Sequence, residues 1–145
     1  MGRNRRLAIA ALLAAVVSIS ATTAGAVPPP PAPCELTRGA DESVRHFSRR
    51  LIRCAVATWE VPGGADKALC IAARESGLHP GAQSPTGRYL GLYQHSAKYW
   101  PGRYEAWTEP EWELDPSALS GRTNAIVTMR MVHANGWGPW KGVGC

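Results

Sequence analysis

Mostly apolar positions recur at intervals of three and four between Asp41 and Glu60. Val44, Phe47, Leu51, Cys54, Ala55 and Thr58 fall on one stripe, and that spacing predicts a helix. Asp41 is the candidate N-cap, with Glu42 favourable in the first turn. Arg45, Arg49, Arg50 and Arg53 cover the other flanks as a solvated basic face. Pro62-Gly63-Gly64 ends the helix. A second helix is predicted over Ala65 to Ser76. Its Lys67–Ala73 segment is apolar on nearly all sides, so this helix should be central and buried. Gly77 stands where a left-handed residue closes a helix, and Pro80 blocks continuation. Gly81 to Gly87 reads as loop, and Arg88 to Gln94 as a short strand or irregular ribbon. Ser96 to Trp100 reads as a helical turn stopped by Pro101, and Glu109 to Leu114 as a short helix. Asp115-Pro116 reads as N-cap and N1 of a last helix over Ser117 to Ala134, with a possible break at Gly121 and Asn135-Gly136 closing it. The expected fold is mainly α (α+β): a helical domain with a small irregular β region.

Charge and composition change this picture at the N-terminus. Arg3, Arg5 and Arg6 precede an apolar run from Leu7 to Ile19, and Ala24-Gly25-Ala26 offers small residues for cleavage. This reads as a signal peptide over residues 1–26, because the apolar run is too short to span a bilayer comfortably. A Pro-rich segment, 27–40, follows as an extended spacer, and the domain proper is expected over 41–145. The chain carries 16 basic and 11 acidic side chains. Losing three arginines with the leader leaves about +2 rather than +5, which argues against a nucleic-acid partner. No integral membrane association is expected after cleavage, and a monomer suffices.

The four cysteines, Cys34, Cys54, Cys70 and Cys145, are even in number and none are paired as C-x-x-C. In a secreted chain that predicts two disulfides rather than zinc. Three connectivities are open. Cys54 and Cys70 are symmetric about Pro62, which favours a 54–70 bridge across a helix pair and a 34–145 bridge between the termini. His46, His79, His95 and His133 show no metal-ligand spacing, and no metal or other cofactor is called for.

One residue carries candidate chemistry. Glu75 ends an apolar helix, just before its Gly cap. The helix C-terminus disfavours an anion there by roughly 0.3–1 kcal/mol. Burial against Leu69, Ile71 and Leu78 would add to this, and both effects raise a carboxyl pKa. A carboxyl still protonated near neutral pH is what a general acid needs.

The sequence around Glu75 resembles the lysozyme-like superfamily, in particular its soluble lytic transglycosylase branch. The resemblance runs from about Ala65 to Trp140. It rests on Arg74-Glu75-Ser76-Gly77, the Pro80-x-Ala82-x-Ser84 loop, Gly91-Leu92-Tyr93-Gln94 and Tyr99-Trp100. Asp115-Pro116, Asn124 and the Gly136-Trp-Gly-Pro-Trp140 tail add to it, the tail being similar to small secreted actinobacterial members. The resemblance implies a lysozyme-like fold and a catalytic Glu75. That acid would cleave the β-1,4 bond between N-acetylmuramic acid and N-acetylglucosamine in peptidoglycan glycan strands, outside the cell or in the wall. Ser76, Tyr93, Gln94, Tyr99 and Asn124 are the expected substrate-binding residues. Trp100, Trp137 and Trp140 are weighed as core or tail packing.

Two departures bear on mechanism. Animal-type lysozymes carry an Asp two residues before the Gly of Gly-Leu-x-Gln, where this chain has Tyr89. No Asp or Glu occurs between Ser76 and Tyr104. A two-carboxylate mechanism therefore lacks its second acid in the matching segment, and a lytic transglycosylase, working with one Glu as acid and then base, is expected. The five carboxylates from Glu105 to Asp115 keep a muramidase open as an alternative. The other departure is that Gly87 and Gly91 are four apart where the transglycosylase pattern has three. From other classes, a non-catalytic wall-glycan binding module and a purely structural disulfide domain remain.

Overall fold

The computed structural model describes residues 31–145. The signal-peptide expectation and the first part of the Pro-rich segment lie outside the described residues. Four α-helices, a two-stranded antiparallel sheet and two 3-10 helices follow one another: α1 (Val44–Thr58), α2 (Gly64–Ser76), β1 (Tyr89–Leu90), β2 (His95–Ser96), α3 (Trp100–Trp107), a 3-10 turn (Pro110–Trp112), α4 (Gly121–Asn135) and a 3-10 tail (Gly138–Val143). The fold is mainly helical with a small β region and two disulfides.

Local chemistry accounts for most helix boundaries. Ser43, not Asp41, caps α1, its hydroxyl accepting from the His46 N–H at 3.2 Å. Gly77 closes α2 in the left-handed region as expected, its N–H returning to the Ala73 carbonyl. Pro101 sits in the first turn of α3 and begins a helix rather than stopping one. Proline lacks only an N–H that the first turn leaves unbonded anyway. The last helix starts later than Asp115-Pro116 suggests. Ser120 caps α4, while the Asp115 carboxylate accepts from the Ser117 N–H at 2.8 Å in a local turn. Gly121 is therefore the first residue of α4 and not a break within it.

The central helix is α4, not α2. Every residue from Thr123 to Met129 is buried, and α4 packs on both α1 and α3. In α2 only Ala68, Ile71 and Ala72 are buried. These join Leu51, Ile52 and Ala55 of α1 and Leu92, Tyr93, Ile126, Met129 and Val132 in the core. Trp59 and Trp112 flank the Arg130 guanidinium at 5.9 and 5.0 Å, and Arg130 also pairs with Glu109 at 2.9 Å. This cation–π stack fixes the 3-10 turn against α1 and α4.

The disulfides are Cys34–Cys54 and Cys70–Cys145, so the 54–70 and 34–145 pairing is corrected. Equal distance from Pro62 sets the height of a residue in a helix pair but not its azimuth. Cys54 and Cys70 each neighbour a buried position, Ala55 and Ile71, and one helical step turns a side chain by about 100°. Both therefore point off the α1–α2 contact. Cys54 meets the segment before α1, and Cys70 meets the tail that packs on α2. The end of the Pro-rich segment is thus part of the domain: Cys34 is buried, and the Pro33 carbonyl accepts from Arg122 Nε at 3.0 Å.

No helix among the described residues is long and apolar enough to cross a membrane. Two closed disulfides suit an oxidising compartment.

Candidate active site

A cleft of about 480 Å³ lies beside the end of α2. It is lined by Glu75, Tyr89, Gln94, Ser96, Tyr99, Arg103, Pro139 and Trp140. Its volume falls within the roughly 300–1,000 Å³ typical of small-ligand sites. Glu75 is the one carboxylate in that lining, and it is half-buried. Burial holds its carboxyl above the usual Glu range. No ion pair among the described residues involves it, and burial is the cause of that rise. Arg74, its neighbour in the chain, is exposed and points elsewhere, with its guanidinium toward Gly144.

The hairpin from Tyr89 to Ser96 forms one wall. Tyr89 pairs with Ser96 and Leu90 with His95, and the turn between them passes through Gly91 and Gln94, both at positive φ. Gly91 is irreplaceable on geometry: a Cβ there would collide with the Ala118 carbonyl and the Asn124 amide. Asn124 is fully buried behind the turn. Its Oδ1 accepts from the Tyr93 N–H at 3.1 Å and its Nδ2 donates to the Ala118 carbonyl at 2.8 Å. The Ser76 hydroxyl lies 2.9 Å from the Leu92 carbonyl and 3.0 Å from that of Ala72, so its single proton ties the helix end bearing Glu75 to the same turn.

The expected site residues therefore separate into two groups. Glu75, Gln94 and Tyr99 line the cleft. Gln94 donates its amide to the carbonyls of Gly91 and Ala82 at 2.9 and 3.2 Å, which turns its oxygen away from them. Ser76, Tyr93 and Asn124 are not among its lining residues. Tyr93 is wholly buried against Trp137 and Trp140, with its hydroxyl donating to the Ala68 carbonyl at 3.1 Å, and offers no open face. Trp100 is likewise in the core, as its packing alternative had it.

Five lining residues are not among the expected substrate-binding residues: Tyr89, Ser96, Arg103, Pro139 and Trp140. Among the described residues, Tyr89 and Tyr99 are the two large apolar side chains that stand out into solvent, at 43% and 57% exposure. Trp140 both walls the cleft and anchors the tail, its indole N–H donating to the Tyr93 carbonyl at 2.9 Å. Beneath the cleft, His95 is buried between Trp100 and Trp140. Its Nε2 is 2.7 Å from Thr128 Oγ1 and its Nδ1 is 2.8 Å from an Arg103 Nη1. Burial first, and the Arg103 charge second, lower its pKa to about 3.

The carboxylates from Glu105 to Asp115 do not return to the cleft. Glu105 lines a separate hollow beyond α3, Glu109 holds Arg130, and Asp115 caps its own turn. Compared with family models, with curated proteins and with solved structures, the chain matches none.

Proposed function

We propose that this chain is a secreted enzyme that cleaves peptidoglycan glycan strands as a lytic transglycosylase. The observation that carries the reading is the position of Glu75. It is a lone carboxylate in a small-ligand cleft, with burial favouring its protonated form. A protonated Glu75 donates to the bridging oxygen of the β-1,4 bond as that bond breaks, leaving oxocarbenium character on the muramic ring. The resulting carboxylate then takes the proton of that residue's C6 hydroxyl as the hydroxyl attacks C1. The products are a 1,6-anhydro end and a restored acid. No second carboxylate is required, and none lines the cleft. Tyr89 and Tyr99 offer flat apolar faces to sugar rings, and the Gln94 oxygen is free of the carbonyls that hold its amide. No cofactor enters the scheme.

Digestion of purified peptidoglycan, followed by mass spectrometry of the released muropeptides, tests the reading. Anhydro ends are expected from the native protein and a loss of at least about 100-fold from Glu75→Gln. Reducing ends would make it a hydrolase. Equal release by both proteins would remove Glu75 from catalysis, and binding without release would leave a glycan-binding module.

A further inference from the structure

We propose that Arg103 is the anion-binding group of the cleft, placed to receive a carboxylate carried by the glycan. The inference rests on the glycan-cleaving reading and names a feature of the substrate that Glu75 does not address.

Arg103 is a half-buried cation that no ion pair among the described residues includes. The ion pairs among the described residues join Glu42 to His46 and Arg50, and Glu109 to Arg130. Arg103 belongs to none of them, although it lines the same cleft as Glu75. A partly desolvated guanidinium without an acidic partner is costly to keep.

The group that holds Arg103 holds it without neutralising it. Thr128 Oγ1 donates its own proton to the Asn124 carbonyl at 2.7 Å. It must therefore accept from His95 Nε2–H, 2.7 Å away. That fixes the His95 tautomer and leaves the Nδ1 lone pair to receive the Arg103 N–H at 2.8 Å. The imidazole is thus an uncharged acceptor locked from behind by α4. Arg103 is aimed and keeps its full charge. Arg103 lines the cleft, and the donors of its planar fork that His95 does not engage can give a carboxylate two parallel N–H bonds.

Muramic residues present such a group in two ways. A residue stripped of peptide exposes its lactyl carboxylate, while a peptide-bearing one has that carboxyl bound as an amide and displays carboxylates along the peptide. A strand of N-acetylglucosamine alone has neither.

Binding of three oligosaccharides of equal length, measured calorimetrically with Glu75→Gln protein so that nothing is turned over, tests this. The probes are a neutral N-acetylglucosamine oligomer, a peptide-free glycan fragment and a peptide-bearing one. Loss of one bidentate carboxylate contact in Arg103→Met should weaken the carboxylate-bearing probes about tenfold or more and the neutral one less than about twofold, with Arg103→Lys intermediate. Whichever charged probe shows the loss identifies the source of the carboxylate. Raising salt from about 20 to about 200 mM should weaken the same probe without any substitution at Arg103, which keeps the test open if Arg103→Met folds poorly. Equal losses for neutral and charged probes, or no loss and no salt effect, overturn the role of Arg103 while leaving the glycan reading intact. If none of the probes binds, that reading falls and this one with it.

Discussion

At the scale of single residues, Glu75 and His95 oppose each other in how they couple stability to pH. Burial holds the Glu75 carboxyl above its ordinary value of 4.5. The native state thus keeps a proton that the unfolded chain releases, and stability falls as pH rises from 4.5 through the raised value. Glu75→Gln removes that penalty. The variant should melt higher than the native protein at pH 7, with the difference vanishing below the carboxyl range in thermal scans. For His95 the sign reverses. Its pKa drops from 6.5 to about 3, so the unfolded chain gains a proton that the native state refuses. Its contribution is fully present above pH 6.5 and is lost as pH falls toward 3, at up to about 1.4 kcal/mol per pH unit. Denaturant titrations from pH 7 to pH 4 should show this slope in the native protein and a slope shallower by about that amount in His95→Gln, whatever that substitution does to stability at pH 7. Glu75 was legible in the sequence because its determinants are local: an apolar helix, a glycine at the left-handed position and a proline beyond it. The pairing of His95 with Arg103 was not, because α4 behind the hairpin creates it, through a threonine 33 residues away.

At the scale of elements, the hairpin and the end of α2 act as one unit. Ser76 joins them through Leu92, and Asn124 pins the turn from behind. The motif names these residues together, and the structure places them at different depths. Gly91-Leu92-Tyr93-Gln94 reads as a cleft lining, yet only its last residue faces the cleft, while Leu92 and Tyr93 are core. In a turn this tight the side-chain direction depends on backbone angles, such as the positive φ of Gln94, that an alternating pattern does not encode. The same holds for Pro101, since proline both stops and starts helices, and only the packing of the residues beyond it decides which. Gly91 makes the unit's tightness measurable. Gly91→Ala combines a disfavoured backbone region with overlap against Ala118 and Asn124 and should cost about 2–5 kcal/mol in urea unfolding. Ser76→Ala should cost only about 1 kcal/mol. Its glycan release should fall further than that loss of stability explains, because the helix end carrying Glu75 loses its tie to the wall opposite.

At the scale of the whole molecule, the two disulfides divide stability from site construction. Cys34–Cys54 closes a span of 20 residues and Cys70–Cys145 one of 75. Chain entropy alone ranks them at about 3.3 and about 4.5 kcal/mol, a modest difference. Their places in the fold differ more. The first fastens the entering segment to α1, and neither of these supplies a residue to the cleft lining. The second fastens α2, which carries Glu75, to the tail that supplies Pro139 and Trp140. A helix and a tail that line one cleft must be held at a fixed separation if the cleft is to keep its shape. Two indole N–H bonds also anchor the tail, from Trp137 to the Pro62 carbonyl and from Trp140 to that of Tyr93. Replacing both cysteines of a pair by serine should therefore separate the two roles. With Cys34 and Cys54 replaced, the melting temperature should drop while glycan release per folded molecule stays within about twofold of native. With Cys70 and Cys145 replaced, release should fall about tenfold or more even at temperatures where circular dichroism reports a fully folded chain. Release within about twofold of native in both double variants would mean that Trp137 and Trp140 hold the wall without the covalent link, and that the second disulfide serves stability alone.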